Sequence, residues 1–174
     1  MVAYKRFCFK VAIFIPINQA HAFLKRLLPV ILLFLVFLTS AQGQEQNVNR
    51  VNAQIDSLFK KAYDGLQQLD YLKTLDYLEE AKRLAISIGN SSSVGQSNNF
   101  IASVNLGLGN YEQAGKACME AIKIHKKLEE DEELAKSYLT YGRILIKIDA
   151  YDKASEYLDA ARTLFDTLDD DDHL

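Results

Sequence analysis

Residues 141–165 read YGRILIKIDAYDKASEYLDAARTLF, and this stretch decides the fold. Tyr141 and Leu145, with Tyr138 just before them, recur at helical spacing, and so do Ala154, Leu158 and Ala161 after the turn at Asp149-Ala150. The spacing predicts one helix over 135–147 and a second from Tyr151 to about Phe165, packed antiparallel with both apolar stripes inward. Gly142, Ala154 and Ala161 are small because two helices joined by a tight turn approach closely only where side chains are short. Helix propensity alone would not place a glycine at 142.

The same pattern occurs upstream at a fixed interval. Tyr71, Tyr111 and Tyr151 are forty residues apart, as are Thr74, Ala114 and Ala154, then Leu78, Cys118 and Leu158, then Ala81, Ala121 and Ala161. A period of this size marks a stacked repeat, in which neighbours supply the core that no unit can build alone. Such stacks bind more often than they catalyse. The turns read Leu69-Asp70-Tyr71, Gly109-Asn110-Tyr111 and Asp149-Ala150-Tyr151. Asp70 and Asn110 are expected to cap the following helices, while the third turn relies on Asp149 or water. Gly89-Asn90 is expected to end the second helix of the first unit, with Ser91-Ser92-Ser93 as a loop.

Residues 1–43 have a different composition. They carry Lys5, Arg6, Lys10, Lys25 and Arg26, and the first acidic residue is Glu45. Lys25 and Arg26 precede the apolar run 27–38, and Thr39-Ser40-Ala41-Gln42-Gly43 follows with small residues. This is the pattern of a secretory signal peptide cleaved after Ala41 or Gly43. The apolar run falls short of the ~18 residues of a bilayer span, which sets an uncleaved inner-membrane anchor second to cleavage and release into the periplasm or the extracellular space. The long segment before Lys25 leaves a downstream translation start open. No cysteine follows the run closely enough to carry a lipid.

Removal of 1–43 takes away five of the 20 basic residues and none of the 23 acidic ones, leaving 131 residues with a formal charge of −8. A chain of that sign lacks the field that nucleic acid or anionic lipid requires. Cys118 has no second cysteine in the mature chain, and its repeat mates Leu78 and Leu158 make it a small apolar residue. No catalytic constellation, cofactor motif or metal-ligand spacing is present. His125, among Lys123, Lys126 and Lys127, is expected to be exposed or half-packed. The acidic runs 129–133 and 169–172 lack the glycine and alternation of a cation loop, and read as a solvated loop and a frayed tail.

The pattern resembles the tetratricopeptide repeat (TPR). In that family a small residue of the first helix is followed twelve residues later by a small one in the second, four further on by a large one, and three after that by another small one. Gly142, Ala154, Leu158 and Ala161 match in full; Ala102, Ala114, Cys118 and Ala121 match with a smaller third member; Ala62, Thr74, Leu78 and Ala81 match with Thr74 as the outlier. The period exceeds the thirty-four residues of the common repeat and is similar to the longer variety of bacterial regulators and exported sensors. Lys61, Gly65, Asn98 and Asn105 depart from the apolar residues usual in first helices, so units one and two are expected to be less regular or looser.

The resemblance implies an all-α, right-handed α-solenoid of three antiparallel helix pairs, in units of about 55–94, 95–134 and 135–168. A linker or frayed start would occupy 44–54 and an acidic tail 169–174. It also implies a groove lined by the first helix of each unit, with Asp56, Phe59, Tyr63 and Leu66, then Gln96, Asn99, Ser103 and Leu106, then Lys136, Leu139, Arg143 and Lys147. An acidic or carboxylate group of a protein or peptide partner would meet Lys136, Arg143 and Lys147, with Asn99 and Ser103 as hydrogen-bond partners and Leu139 beside them. The chaperone-tail subclass of the family is not matched: Phe59, Tyr63, Phe100 and Thr140 replace its polar clamp, and Lys136 alone agrees.

Two functions stay open on this reading. One is a non-catalytic periplasmic scaffold or adaptor; the other is the sensor portion of a signal-transduction protein, such as a histidine kinase, whose membrane helix and output lie beyond Leu174. Only six residues follow the third unit and no solvating helix closes it, so a homodimer through that apolar end is a further expectation.

Overall fold

The computed structural model describes the backbone of residues 17–171 and the side chains of 42–169. Of the expected leader, residues 1–16 lie outside the described backbone and residues 1–41 outside the described side chains. The chain divides into two units, Met1–Gln46 and Asn47–Leu174. The first is helical from Ile17. All described regular structure is helical: α1 (Ile17–Gln67), α2 (Tyr71–Ser87), α3 (Ser91–Gly107), α4 (Tyr111–Leu128), α5 (Asp131–Lys147) and α6 (Tyr151–Asp171). Within the second unit the helices pack in adjacent pairs, and α3 also touches α5 directly.

The pairs close where side chains are shortest. Ala62, Leu78, Ile101 and Val104 form one core cluster between α1, α2 and α3. Ala102, Ala114, Cys118, Ile122, Leu134 and Ile144 form another that joins α3, α4 and α5. A methyl group added at Gly142 would lie 2.7 Å from Leu158 Cδ2, and one added at Gly65 would lie 2.6 Å from Thr74 Oγ1. Thr74 is therefore no flaw in the first unit: its hydroxyl donates to Asp70 O at 2.8 Å and occupies the space that Gly65 vacates. Asn98 and Asn105 are buried at the expected large apolar positions. Asn105 Nδ2 donates to Ile101 O at 2.9 Å, whereas Asn98 Nδ2 has no partner.

The backbone has a shorter period than the sequence. Leu69, Gly89, Gly109, Glu129 and Asp149 all have positive φ, between 57° and 78°, and they stand twenty residues apart. At each turn the next residue donates back across six residues, from Asp70, Asn90, Asn110, Glu130 and Ala150 to Gly65, Ala85, Asn105, His125 and Leu145. This is the Schellman closure, which satisfies a carbonyl left over at the helix end. Turns within and between pairs are thus built alike, and forty is two backbone periods of twenty.

Several expectations are corrected by this rule. Ser91-Ser92-Ser93 is the first turn of α3, capped by Asn90, whose Oδ1 accepts from Ser93 N at 3.0 Å. Asn90 also ties that turn to α1 by donating to Asn52 Oδ1 at 2.9 Å. Asp70 caps α2 as expected, accepting from Lys73 N at 3.3 Å. Asn110 makes no cap bond and donates instead to Asn105 Oδ1 at 3.3 Å. Asp149 accepts the Tyr151 hydroxyl at 2.7 Å, which raises the phenol's pKa. Residues 44–54, expected as a linker or frayed start, are helical, and Val51 is buried against Ala81 and Ala85 in a cluster with Ile55 and Leu58. Asp131, Glu132 and Glu133 are the first turn of α5, where carboxylates suit the positive end of the helix dipole. The expected frayed tail is helical through Asp171.

His125 differs most from expectation. It is 0% exposed, with Nδ1 2.7 Å from Glu130 Oε2 across the α4–α5 turn and Nε2 without a partner. Its ring occupies the space that Gly95 leaves open, since a methyl group there would stand 2.6 Å from Cε1 and Nε2. On α6, Tyr157, Leu158, Leu164, Phe165 and Leu168 are partly buried, so the apolar end expected on this unit is only half open.

Candidate functional site

A cleft of about 680 Å³ opens where the ends of α1, α3 and α5 meet the starts of α2 and α4. Leu66, Tyr71, Ser103, Leu106, Tyr111, Arg143, Ile146 and Lys147 line it together with the turn Gly107-Leu108-Gly109. Its position follows from the turns. Each sharp closure returns the chain at once into the next helix, so the tyrosines that open α2 and α4 stand beside the last turns of the preceding helices.

Gly107 makes room for one of these rings, because a methyl group there would lie 3.3 Å from Tyr71 Cε1. Lys147 stands forty residues after Gly107, at the equivalent place in the third pair. Arg143 and Lys147 are one helical turn apart and present their charges on one face. Among the described residues, neither has a carboxylate within ion-pair distance, and none of the cleft's lining residues is acidic. The Ser103 hydroxyl donates to Asn99 O at 3.2 Å, leaving its lone pairs free to accept.

Of the twelve expected groove residues, the structure brings Leu66, Ser103, Leu106, Arg143 and Lys147 into this cleft and leaves the other seven outside it, Asn99, Lys136 and Leu139 among them. Lys136 is already neutralised, with Nζ 2.7 Å from Glu132 Oε1 and 2.9 Å from Glu133 Oε1. Burial pulls its pKa down, but the two carboxylates outweigh that and hold it above the ordinary lysine value. Glu132, hydrogen-bonded to Lys136, is correspondingly lowered. Leu139 is 42% exposed, and Asn99 Oδ1 is buried without a partner.

The sequence reading missed Tyr71, Tyr111, Ile146 and the glycine turn as lining residues. The tyrosines were visible as the strictest members of the repeat, but only the fold shows that they face a cavity. Other chemistry is sparse. Cys118, hydrogen-bonded to Ser137 O at 3.2 Å, has its thiol pKa pushed up to about 12 by burial. Among the described residues no group of His, Cys, Asp or Glu is arranged to hold a metal ion.

Residues 93–167, which comprise nearly all of α3 through α6, match the profile of the tetratricopeptide repeat family. Among solved structures, the chain is similar to the crystal structure of the TPR domain of Arabidopsis FLU. The TM-score is 0.62 at 17% sequence identity, covering 67% of this chain and 98% of that one. At that identity the likeness is one of fold. No curated protein matches the chain.

Proposed function

We propose that this chain is an exported, non-catalytic scaffold that binds a protein or peptide partner through the cleft at the ends of α1, α3 and α5. Stacked helix pairs of this fold present concave surfaces suited to extended segments. The observation that carries the reading is the pairing of Arg143 and Lys147, unmatched by any nearby carboxylate, over an apolar floor with two tyrosines. Within a chain of net negative charge, such a cleft selects a segment that carries acidic or carboxylate groups and apolar side chains. Export rests on Lys25, Arg26 and the apolar run 27–38. The long period favours the bacterial exported variety, including the sensor portions of signalling proteins, as its source.

Fluorescence anisotropy with a labelled Asp/Glu-rich peptide tests the cleft. Arg143→Glu with Lys147→Glu is expected to weaken binding about tenfold or more and to reverse the sign of its salt dependence, because attraction becomes repulsion. Lys136→Gln is expected to leave binding unchanged. Equal losses in both variants would remove the cleft from the reading.

A further inference from the structure

We propose that the occupant of this cleft is the acidic run Asp169-Asp170-Asp171-Asp172 of a second copy of the chain, so that copies associate head to tail. The proposal rests on the reading of the cleft as the binding site and names the partner. Its first support is charge complementarity. The run is four consecutive aspartates, whereas the longer acidic run 129–133 is already engaged, with Glu130 on His125 and Glu132 and Glu133 on Lys136, and the cleft offers two cations with no acidic lining residue.

The second support lies in α6 itself. The helix reaches Asp171 with no basic residue in its last turn, so its aspartates gather at the end where the helix dipole is already negative. Like charges at the negative end oppose one another and the dipole, and an external pair of cations relieves both. Arg143 and Lys147 are such a pair.

Geometry excludes the same copy as donor. The cleft lies beside the α5–α6 turn, and α6 runs away from it for 21 residues, about 30 Å at ~1.5 Å per residue. Asp169 to Asp171 are therefore at the far end of α6 from the cleft of their own copy. A contact between unlike surfaces of identical chains is heterologous, and it produces a closed ring or an open chain according to the rotation between copies.

Sedimentation velocity of the full chain, across concentration and at low and high salt, tests this directly. Association that strengthens with concentration and is suppressed by salt is expected. Arg143→Glu/Lys147→Glu and, separately, Asp169→Lys/Asp170→Lys/Asp171→Lys should each weaken it about tenfold or more, and combining both sets in one chain should restore it. If the tail variant associates like the wild type, or if no association is seen, the proposal is overturned. In that case the labelled Asp/Glu-rich peptide separates the two ideas. Binding of that peptide, lost in the cleft variant, leaves the cleft as a site for another acidic partner; absence of binding removes the cleft as well.

Discussion

Replacing Glu130 tests whether the buried histidine is held by a hydrogen bond or merely fills space. His125 has one side-chain partner, Glu130 Oε2 at 2.7 Å, and its other ring nitrogen has none. Glu130→Ala leaves a buried ring with neither nitrogen satisfied, and orphaning such a group costs about 1–3 kcal/mol. The Glu130 side chain is 30% exposed, so water can reach the vacated place and the lower half of that range, about 1–2 kcal/mol, is expected. No helix cap is lost in addition, because Glu130 makes no side-chain cap bond to α5. Glu130→Gln keeps an acceptor but exchanges a charged hydrogen bond for a neutral one, about half as strong, and should cost about 0.5–1 kcal/mol. Urea unfolding at neutral pH, followed by far-ultraviolet circular dichroism, reads both variants. With a slope of roughly 1–3 kcal/mol per molar for a small protein, the alanine variant should lower the midpoint by about 0.5–1 M. Equal losses for alanine and glutamine, or no loss for alanine, would refute the hydrogen-bond account.

Three further outcomes follow from the same contacts. Gly95→Ala should destabilise by about 1–3 kcal/mol despite a better helix propensity, since its methyl group would meet the tethered His125 ring at 2.6 Å and Ile124 Cγ2 at 3.1 Å; combined with Glu130→Ala in the same urea assay, the loss should be less than the sum, because a released ring can yield. Leu69→Gly should stabilise by roughly 0.5–1 kcal/mol, because Leu69 holds φ at 58° while 68% exposed, and a drop in thermal midpoint would contradict this. Cys118 should resist iodoacetamide until the protein unfolds. Its folded pKa is raised from 9.0 to about 12, so the stability it contributes is complete below about pH 9 and is lost as pH rises from 9 toward 12, which alkaline melts of wild type and Cys118→Ala would separate.

The third helix pair was legible because its small and large residues record a direct contact: Gly142 opposes Leu158, which would have to shift for any side chain at 142. The helix starts were less legible. Serines at 91–93 and acids at 131–133 suit both a loop and a helical first turn, and the choice was made by closures at Gly89 and Glu129 that place each new helix immediately after the last. The twenty-residue period was hidden because leucine, glycine, glutamate and aspartate share no chemistry, only a backbone conformation. His125 was misread because its environment depends on Gly95, thirty residues earlier and on another helix. Lys136 could have been read correctly. Glu132 and Glu133 precede it by four and three residues, the spacing at which helical ion pairs form, and that signal should have removed it from the candidate site.

Uniform turns make the chain a ruler with two scales. Its smallest division is twenty residues, since each helix from α2 to α6 begins at the same phase after the same kind of closure. Its smallest portable piece is forty, because one added helix would exchange the sequences that face the cleft with those that face away. A duplication or excision of forty residues, wherever it is cut, therefore keeps each later helix in its role, whereas a shift of twenty preserves every turn and reverses the meaning of every face.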